Sequence, residues 1–78
     1  MDKELEQYFN NFFDLFRSEG WKQLIKDLKE NGEVINNIEL AKDEQDLFFK
    51  KGQLNVIGTI LNLETSINNS YEEQLSDD

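Results

Sequence analysis

The sequence predicts an all-α protein: a small helical hairpin or three-helix bundle with a long C-terminal helix, which is expected to be oligomeric. Apolar residues recur at spacings of three, four and seven along most of the chain, which is the periodicity of helices rather than strands. The chain contains no proline that would interrupt a helix. Its 78 residues predict a single domain covering 1–78.

The longest stretch of helical periodicity covers 43–75. Its apolar residues form two neighbouring stripes that together occupy slightly more than half of the helix circumference. The first stripe consists of Leu47, Leu54, Ile57 and Leu61. The second stripe consists of Phe49, Val56, Ile60, Leu63, Ile67 and Tyr71. A helix with such a wide apolar arc has to be covered from two directions, either by its own chain or by other copies.

The first predicted helix covers 2–17 and has a dense aromatic face. Four phenylalanines and one tyrosine occur within nine residues at helical spacing: Tyr8, Phe9, Phe12, Phe13 and Phe16. These rings either cover the long helix within the same chain or anchor the helix in the groove of a partner, where aromatic side chains dominate binding. The sequence leaves both roles open.

The second predicted helix covers 19–40. Ser18 is a candidate N-cap, Gly20 allows a tight corner, and Trp21 is expected to fill the core at that corner. The pair Asn31 and Gly32 could end the helix through a left-handed C-cap. Because Ile35 extends the apolar stripe beyond Gly32, we expect the helix to continue, with a break at Gly32 as the alternative.

The third predicted helix covers 44–72 and is followed by an acidic, frayed tail over 73–78. Asp43 is a candidate N-cap for this helix. The acidic segment 43–46 lacks the ligand pattern of a calcium-binding loop, so a capped helix start is the favoured interpretation. Gly58 lies beside the first stripe and would let a neighbouring helix approach closely. Gly52 lies on the other side of the helix and could mark a bend.

Composition argues against several classes of function. The chain has no cysteine and no histidine, which excludes disulfides, thiolate chemistry and the common zinc sites. Seventeen acidic and eight basic residues give a net charge of −9, and no basic residue follows Lys51. Such a chain is not expected to bind nucleic acid directly. We therefore predict no enzymatic activity, no cofactor and no bound metal.

Membrane insertion and export are also not expected from the sequence. No apolar run approaches the length of a membrane span. The first residues are acidic and lack the basic and apolar regions of a signal peptide. These features predict an intracellular location without membrane association.

Two segments resemble small uncharacterised helical proteins of tailed bacteriophages, particularly short-tailed marine phages. These segments are GWKQLIKDLKEN (20–31) and KDEQDLFFKKGQLNVIGTILNLE (42–64). The resemblance implies a viral origin, a location in the host cytoplasm or the virion, and a role in particle assembly. It carries over no catalytic residue, and the aromatic first helix lies outside it.

Two hypotheses about function follow. The first is a structural or assembly protein that binds itself, or a larger viral particle, through apolar helix faces. The second is a small acidic protein that binds and inhibits a host protein with a basic groove, such as a polymerase, a nuclease or a defence complex. The candidate interface residues are Phe9, Phe12, Phe13, Phe16, Leu54, Ile57, Gly58 and Leu61.

Overall fold

The computed structural model describes residues 1–37 and 41–76, which form four α-helices and no strand. Helix α1 covers Lys3–Arg17 and α2 covers Glu19–Ile35. Helix α3 covers Glu44–Leu61 and α4 covers Leu63–Ser76. The all-α class predicted from the sequence is confirmed. The predicted number of three helices is wrong within these residues, because the long C-terminal helix is divided in two.

Side-chain caps define the starts of α1, α2 and α3. The Leu5 amide donates to Asp2 Oδ1 at 2.7 Å, and the Asp46 amide donates to Asp43 Oδ1 at 2.8 Å. Ser18 serves two helices, because its hydroxyl donates to the Leu15 carbonyl at 2.6 Å and accepts from the Trp21 amide at 3.1 Å. The caps predicted at Ser18 and Asp43 are therefore present, and Ser18 joins α1 directly to α2.

Replacing Ser18 with alanine is expected to lower the free energy of unfolding by about 1 kcal/mol, the usual effect of losing an N-cap. Both hydrogen bonds of the Ser18 hydroxyl would be lost. Urea unfolding followed by circular dichroism measures the change. Ser18→Asp is the control, since its carboxylate can still cap α2, and it should retain most of the stability. Equal losses in the two variants would contradict the capping role.

Helix α2 continues through Gly32 but ends before the predicted residue 40. The amide of Asn36 donates to the carbonyl of Gly32 at 2.9 Å, and the amide of Asn37 donates to the carbonyl of Val34 at 3.3 Å. The second bond spans only three residues, which is the tighter turn common at helix ends. The helix therefore stops at Ile35. Residues 38–40, where the prediction placed its end, lie outside the described residues.

The division between α3 and α4 falls at Asn62. Its amide donates to the carbonyls of both Gly58 and Ile60, and its backbone stays right-handed at φ −92° and ψ 0°. Its side-chain amide donates to Ser66 Oγ at 3.3 Å. Asparagine favours such an interruption because its side chain competes for local hydrogen bonds. Helix α3 passes through Gly52 without interruption, and α4 extends four residues beyond the predicted end at 72.

The four helices form an elongated hairpin with two antiparallel arms. Helix α1 and α2 form one arm, and α3 and α4 form the other, with α2 against α3 and α1 against α4. The chain measures 51 × 27 × 16 Å and has a radius of gyration of 16.7 Å. A compact domain of this length would have a radius of gyration of about 11.5 Å. The hairpin therefore exposes much of its helical surface.

The core is concentrated where α1, α2 and α4 meet. Its buried residues are Phe9, Phe16, Trp21 and Ile67, and it is surrounded by half-buried apolar side chains from α1, α2, α3 and α4. The rings of Phe9 and Tyr71 lie 5.3 Å apart, and those of Phe16 and Trp21 lie 5.2 Å apart. Trp21 fills the corner as predicted. Between α2 and α3, Ile57 is the one buried side chain among the described residues.

Candidate interaction surface

The aromatic face of α1 packs within its own chain. Phe9 and Phe16 are buried, and Phe12 and Phe13 are half-buried against them. The Phe13 ring also lies 5.1 Å from the ring of Tyr71 on α4. Phe9 and Phe13 therefore contact the other arm through Tyr71, while Phe12 and Phe16 pack in the same core. A partner would reach only the parts of Phe12 and Phe13 that remain exposed.

The other four candidates lie at one groove between α2 and α3. This groove is lined by Leu54, Ile57, Gly58 and Leu61 together with Lys29, Gly32, Glu33 and Asn36. Ile57 is buried, and a Cβ atom at Gly32 would lie only 3.7 Å from its Cγ2. Gly58 has no atom within 4 Å of its Cβ position, so the close approach expected at Gly58 is not found. We call this surface the charged face, because Lys29 and Glu33 line it.

The opposite side of the hairpin carries a surface that shares only Ile57 with the sequence-based candidates. It is lined by Asn31, Ile35, Phe49, Gly52, Gln53, Val56 and Ile57, none of which is charged. The side chains of Phe49 and Val56 are 66% and 60% exposed. Gly52 lies between them in sequence and has open space at its Cβ position. We call this surface the apolar face.

The apolar face is the uncovered part of the second stripe predicted on the long helix. Farther along that stripe, Ile60, Leu63, Ile67 and Tyr71 all belong to the core at which α1 meets the other arm. Phe49 and Val56 precede this region, so α1 does not cover them. The sequence contains a signal for this surface, because spacings of three and four residues place Phe49, Gly52 and Val56 on one side of a helix. Spacing alone does not show which part of that side α1 covers.

The exposed area of the chain is large for its mass. It exposes 6154 Å², whereas a compact monomer of 9.2 kDa exposes about 4,900 Å². The excess of about 1,200 Å² is similar to the area that one protein contributes to a stable interface, which is about 800 Å² or more. The hairpin therefore has enough uncovered surface for a specific protein contact.

Charged groups are concentrated away from the apolar face. On α4, Glu64, Glu72 and Glu73 are all exposed, and the helix contains no basic residue. At the start of α3, Asp46 accepts from the Lys42 amide at 3.0 Å and pairs with Lys50 Nζ at 3.2 Å. The amide hydrogen bond, followed by the bond to Lys50, lowers the pKa of Asp46 below its ordinary value.

The lowered pKa of Asp46 makes stability depend on pH in a specific direction. A carboxylate whose pKa is depressed in the folded state stabilises the fold at pH values above its unfolded-state pKa, which is about 3.9. This contribution is lost as the pH falls through the folded-state pKa. Asp46→Asn should therefore be less stable than the unmodified chain at pH 7, and the difference should shrink below about pH 4. Urea unfolding at a series of pH values measures both chains, and a difference that stays constant into strong acid would contradict this role.

Within 1–37 and 41–76, no group of three or more acidic side chains lies close enough together to hold a metal ion. Over the same residues, no helix has both the length and the apolar character that crossing a membrane requires.

Comparison with known proteins adds no assignment. No family model matches the chain, and neither a curated protein nor a solved structure matches it. The class of protein is defined by the fold and surfaces of the described residues: an acidic helical hairpin that exposes an apolar face at Phe49 and Val56.

Proposed function

We propose that this chain is a non-enzymatic interaction protein that takes part in assembly, binding itself or a larger viral particle through its apolar helix face. The observation that carries the proposal is the exposure of Phe49 and Val56 on an uncharged surface. Exposed apolar side chains that adjoin one another mark protein interaction sites, whereas apolar side chains scattered singly over a surface do not. The excess exposed area of the hairpin supports the same conclusion.

The viral part of the proposal is supported by the resemblance of 20–31 and 42–64 to small phage proteins. Those segments contain most of α2 and all of α3, the two helices that line the apolar face. The part of the chain that carries the resemblance is therefore also the part that carries the proposed contact surface.

The test is fractionation of the tagged chain from its natural source. Lysate is separated on a density gradient, and the chain is detected in each fraction in parallel with the purified chain run alone. Migration with large particles, or as a discrete oligomer of the pure chain, supports the proposal. Recovery only as a free monomer in both samples contradicts it.

A second candidate function is inhibition of a host protein that has a basic groove. The observation that favours it is α4, on which every charged side chain is acidic and exposed. Contacts between opposite charges weaken as salt screens them. A captured partner that dissociates as salt is raised, and that is lost when Glu72 and Glu73 are both changed to glutamine, supports this function. A partner that is retained under both conditions argues against it.

A further inference from the structure

One strip of α3 extends the apolar face to Thr59 and combines exposed side chains with a glycine that leaves a hollow between them. The strip, which we call the α3 strip, consists of Phe49, Gly52, Val56 and Thr59. Steps of three, four and three residues place all four on one side of the helix, and all four are exposed. The Thr59 hydroxyl donates to the Asn55 carbonyl at 3.0 Å, so the strip presents no unpaired hydroxyl to whatever covers it.

We propose that a second copy of this chain covers the strip, with the two α3 helices antiparallel and a two-fold axis at the level of residue 54. This inference rests on the proposed function, and it specifies the partner and the pairing. About that axis Phe49 of one copy faces Thr59 of the other, and Val56 faces Gly52. Each Val56 then enters the space above a Gly52, where the chain's own atoms leave the Cβ position open, so the facing helices interdigitate there.

The exposed area agrees with a second copy as the occupant. A standard interface removes about 800 Å² from each partner. Covering the apolar face to that extent would remove most of the excess of about 1,200 Å² that the chain exposes over a compact monomer. Each copy would then expose about as much surface as an ordinary protein of its mass.

Charge also favours a second copy over a basic partner at this surface. The apolar face has no acidic side chain along its groove, so it offers a basic partner nothing to pair with. Two copies, each with a net charge of −9, repel one another through the remaining surface. Salt screens this repulsion, so the dimer should become more stable as salt is raised, opposite to the response of a complex between an acidic and a basic protein.

The first experiment compares leucine substitutions at two glycines of α3. Both Gly52 and Gly58 have open space at their Cβ positions within the chain, so either substitution should raise the melting temperature of the monomer by improving helix propensity. Gly52→Leu fills the hollow that receives Val56 and should raise the dimer dissociation constant at least about tenfold. Gly58→Leu, on the charged face, should leave it unchanged. Sedimentation equilibrium measures the dimer dissociation constant of each variant. Equal effects of the two substitutions, or a larger effect of Gly58→Leu, would overturn the inference.

A second pair of variants tests the surface by charge. Val56 and Leu75 are both exposed apolar residues, at 60% and 51%, but Leu75 lies in the last turn of α4, outside the groove of the apolar face. Val56→Asp should give a folded monomer by circular dichroism and sedimentation, whereas Leu75→Asp should remain a dimer. A Val56→Asp chain that still dimerises overturns the inference.

Chemical cross-linking tests the antiparallel direction. The chain has no cysteine, so Gly52→Cys and Val56→Cys each introduce a unique thiol. When the two variants are mixed and treated with a short bismaleimide, antiparallel pairing should cross-link one variant to the other in preference to itself. Predominant cross-links within each variant would indicate parallel helices and overturn the pairing. If the pure chain is monomeric but the chain in lysate migrates with large particles, the proposed dimer is overturned and the proposed function remains in place.

Discussion

Replacing Phe9 with alanine is expected to unfold most of the population at room temperature. Phe9 is only 3% exposed, and its ring contacts those of Tyr71 on α4 and Tyr8 within α1. Removing a buried phenylalanine side chain costs about 3–5 kcal/mol. A chain of this size has a net stability of only about 3–5 kcal/mol. The loss should therefore consume nearly all of the stability, and circular dichroism should show greatly reduced helicity.

Phe48→Ala is the matched control for Phe9→Ala. Phe48 is 59% exposed, and Lys51 Nζ lies over its ring, 5.6 Å from the ring centroid. Its removal should change the free energy of unfolding by less than about 1 kcal/mol. Similar stability in the two variants would contradict the assignment of the core to the contact between α1 and α4.

Replacing Ile57 with aspartate is expected to separate α2 from α3. Ile57 is buried, and its side chain lies against Gly32 of α2. The substitution would bury an unpaired carboxylate and remove an apolar side chain, with a combined cost of about 4 kcal/mol or more. Because Ile57 holds its own hairpin together, loss of assembly in this variant would report unfolding rather than a damaged interface. Urea unfolding and amide hydrogen exchange measure the loss in α2 and α3.

Val56→Asp is the control that separates these two effects. It lies next to Ile57 in sequence but is exposed, so it should keep the hairpin folded while it weakens self-association. Retained amide protection in α2 and α3 of Val56→Asp, with loss of protection in Ile57→Asp, is the expected pattern. Loss of folding in both variants would contradict the placement of Val56 outside the hairpin core.

Local chemistry made several parts of the fold predictable from the sequence. The caps at Ser18 and Asp43 depend on a side chain and an amide three residues later, so the signal lies within one helical turn. The passage of α2 through Gly32 was also predicted, because Ile35 extends the apolar stripe beyond this glycine. The all-α class follows from periodicity alone.

The interruption at Asn62 was harder to predict. The apolar periodicity of α3 continues into α4 through Ile60, Leu63 and Ile67, so the pattern resembled one unbroken helix. A single asparagine in a right-handed conformation changes the hydrogen bonding without disturbing that pattern. Periodicity therefore placed Ile60, Leu63 and Ile67 on one stripe that joins the core, while giving one helix too few.

The location of the candidate surface depended on tertiary packing. Periodicity identified two apolar stripes on the long helix, but either could have been covered by the rest of the chain. The charged face was favoured in sequence because Leu54 and Leu61 align with Gly58 there. In the folded chain α2 half-covers both leucines, while α1 lies against α4 and leaves Phe49 and Val56 exposed.

The most direct test of this account is the absolute mass of the pure chain in solution, measured by light scattering behind a sizing column at low and high salt. The account predicts a discrete species with twice the monomer mass of 9.2 kDa, which persists and becomes more populated at high salt because screening reduces the repulsion between acidic copies. A monomer at both salt concentrations would contradict the claim that the apolar face joins two copies.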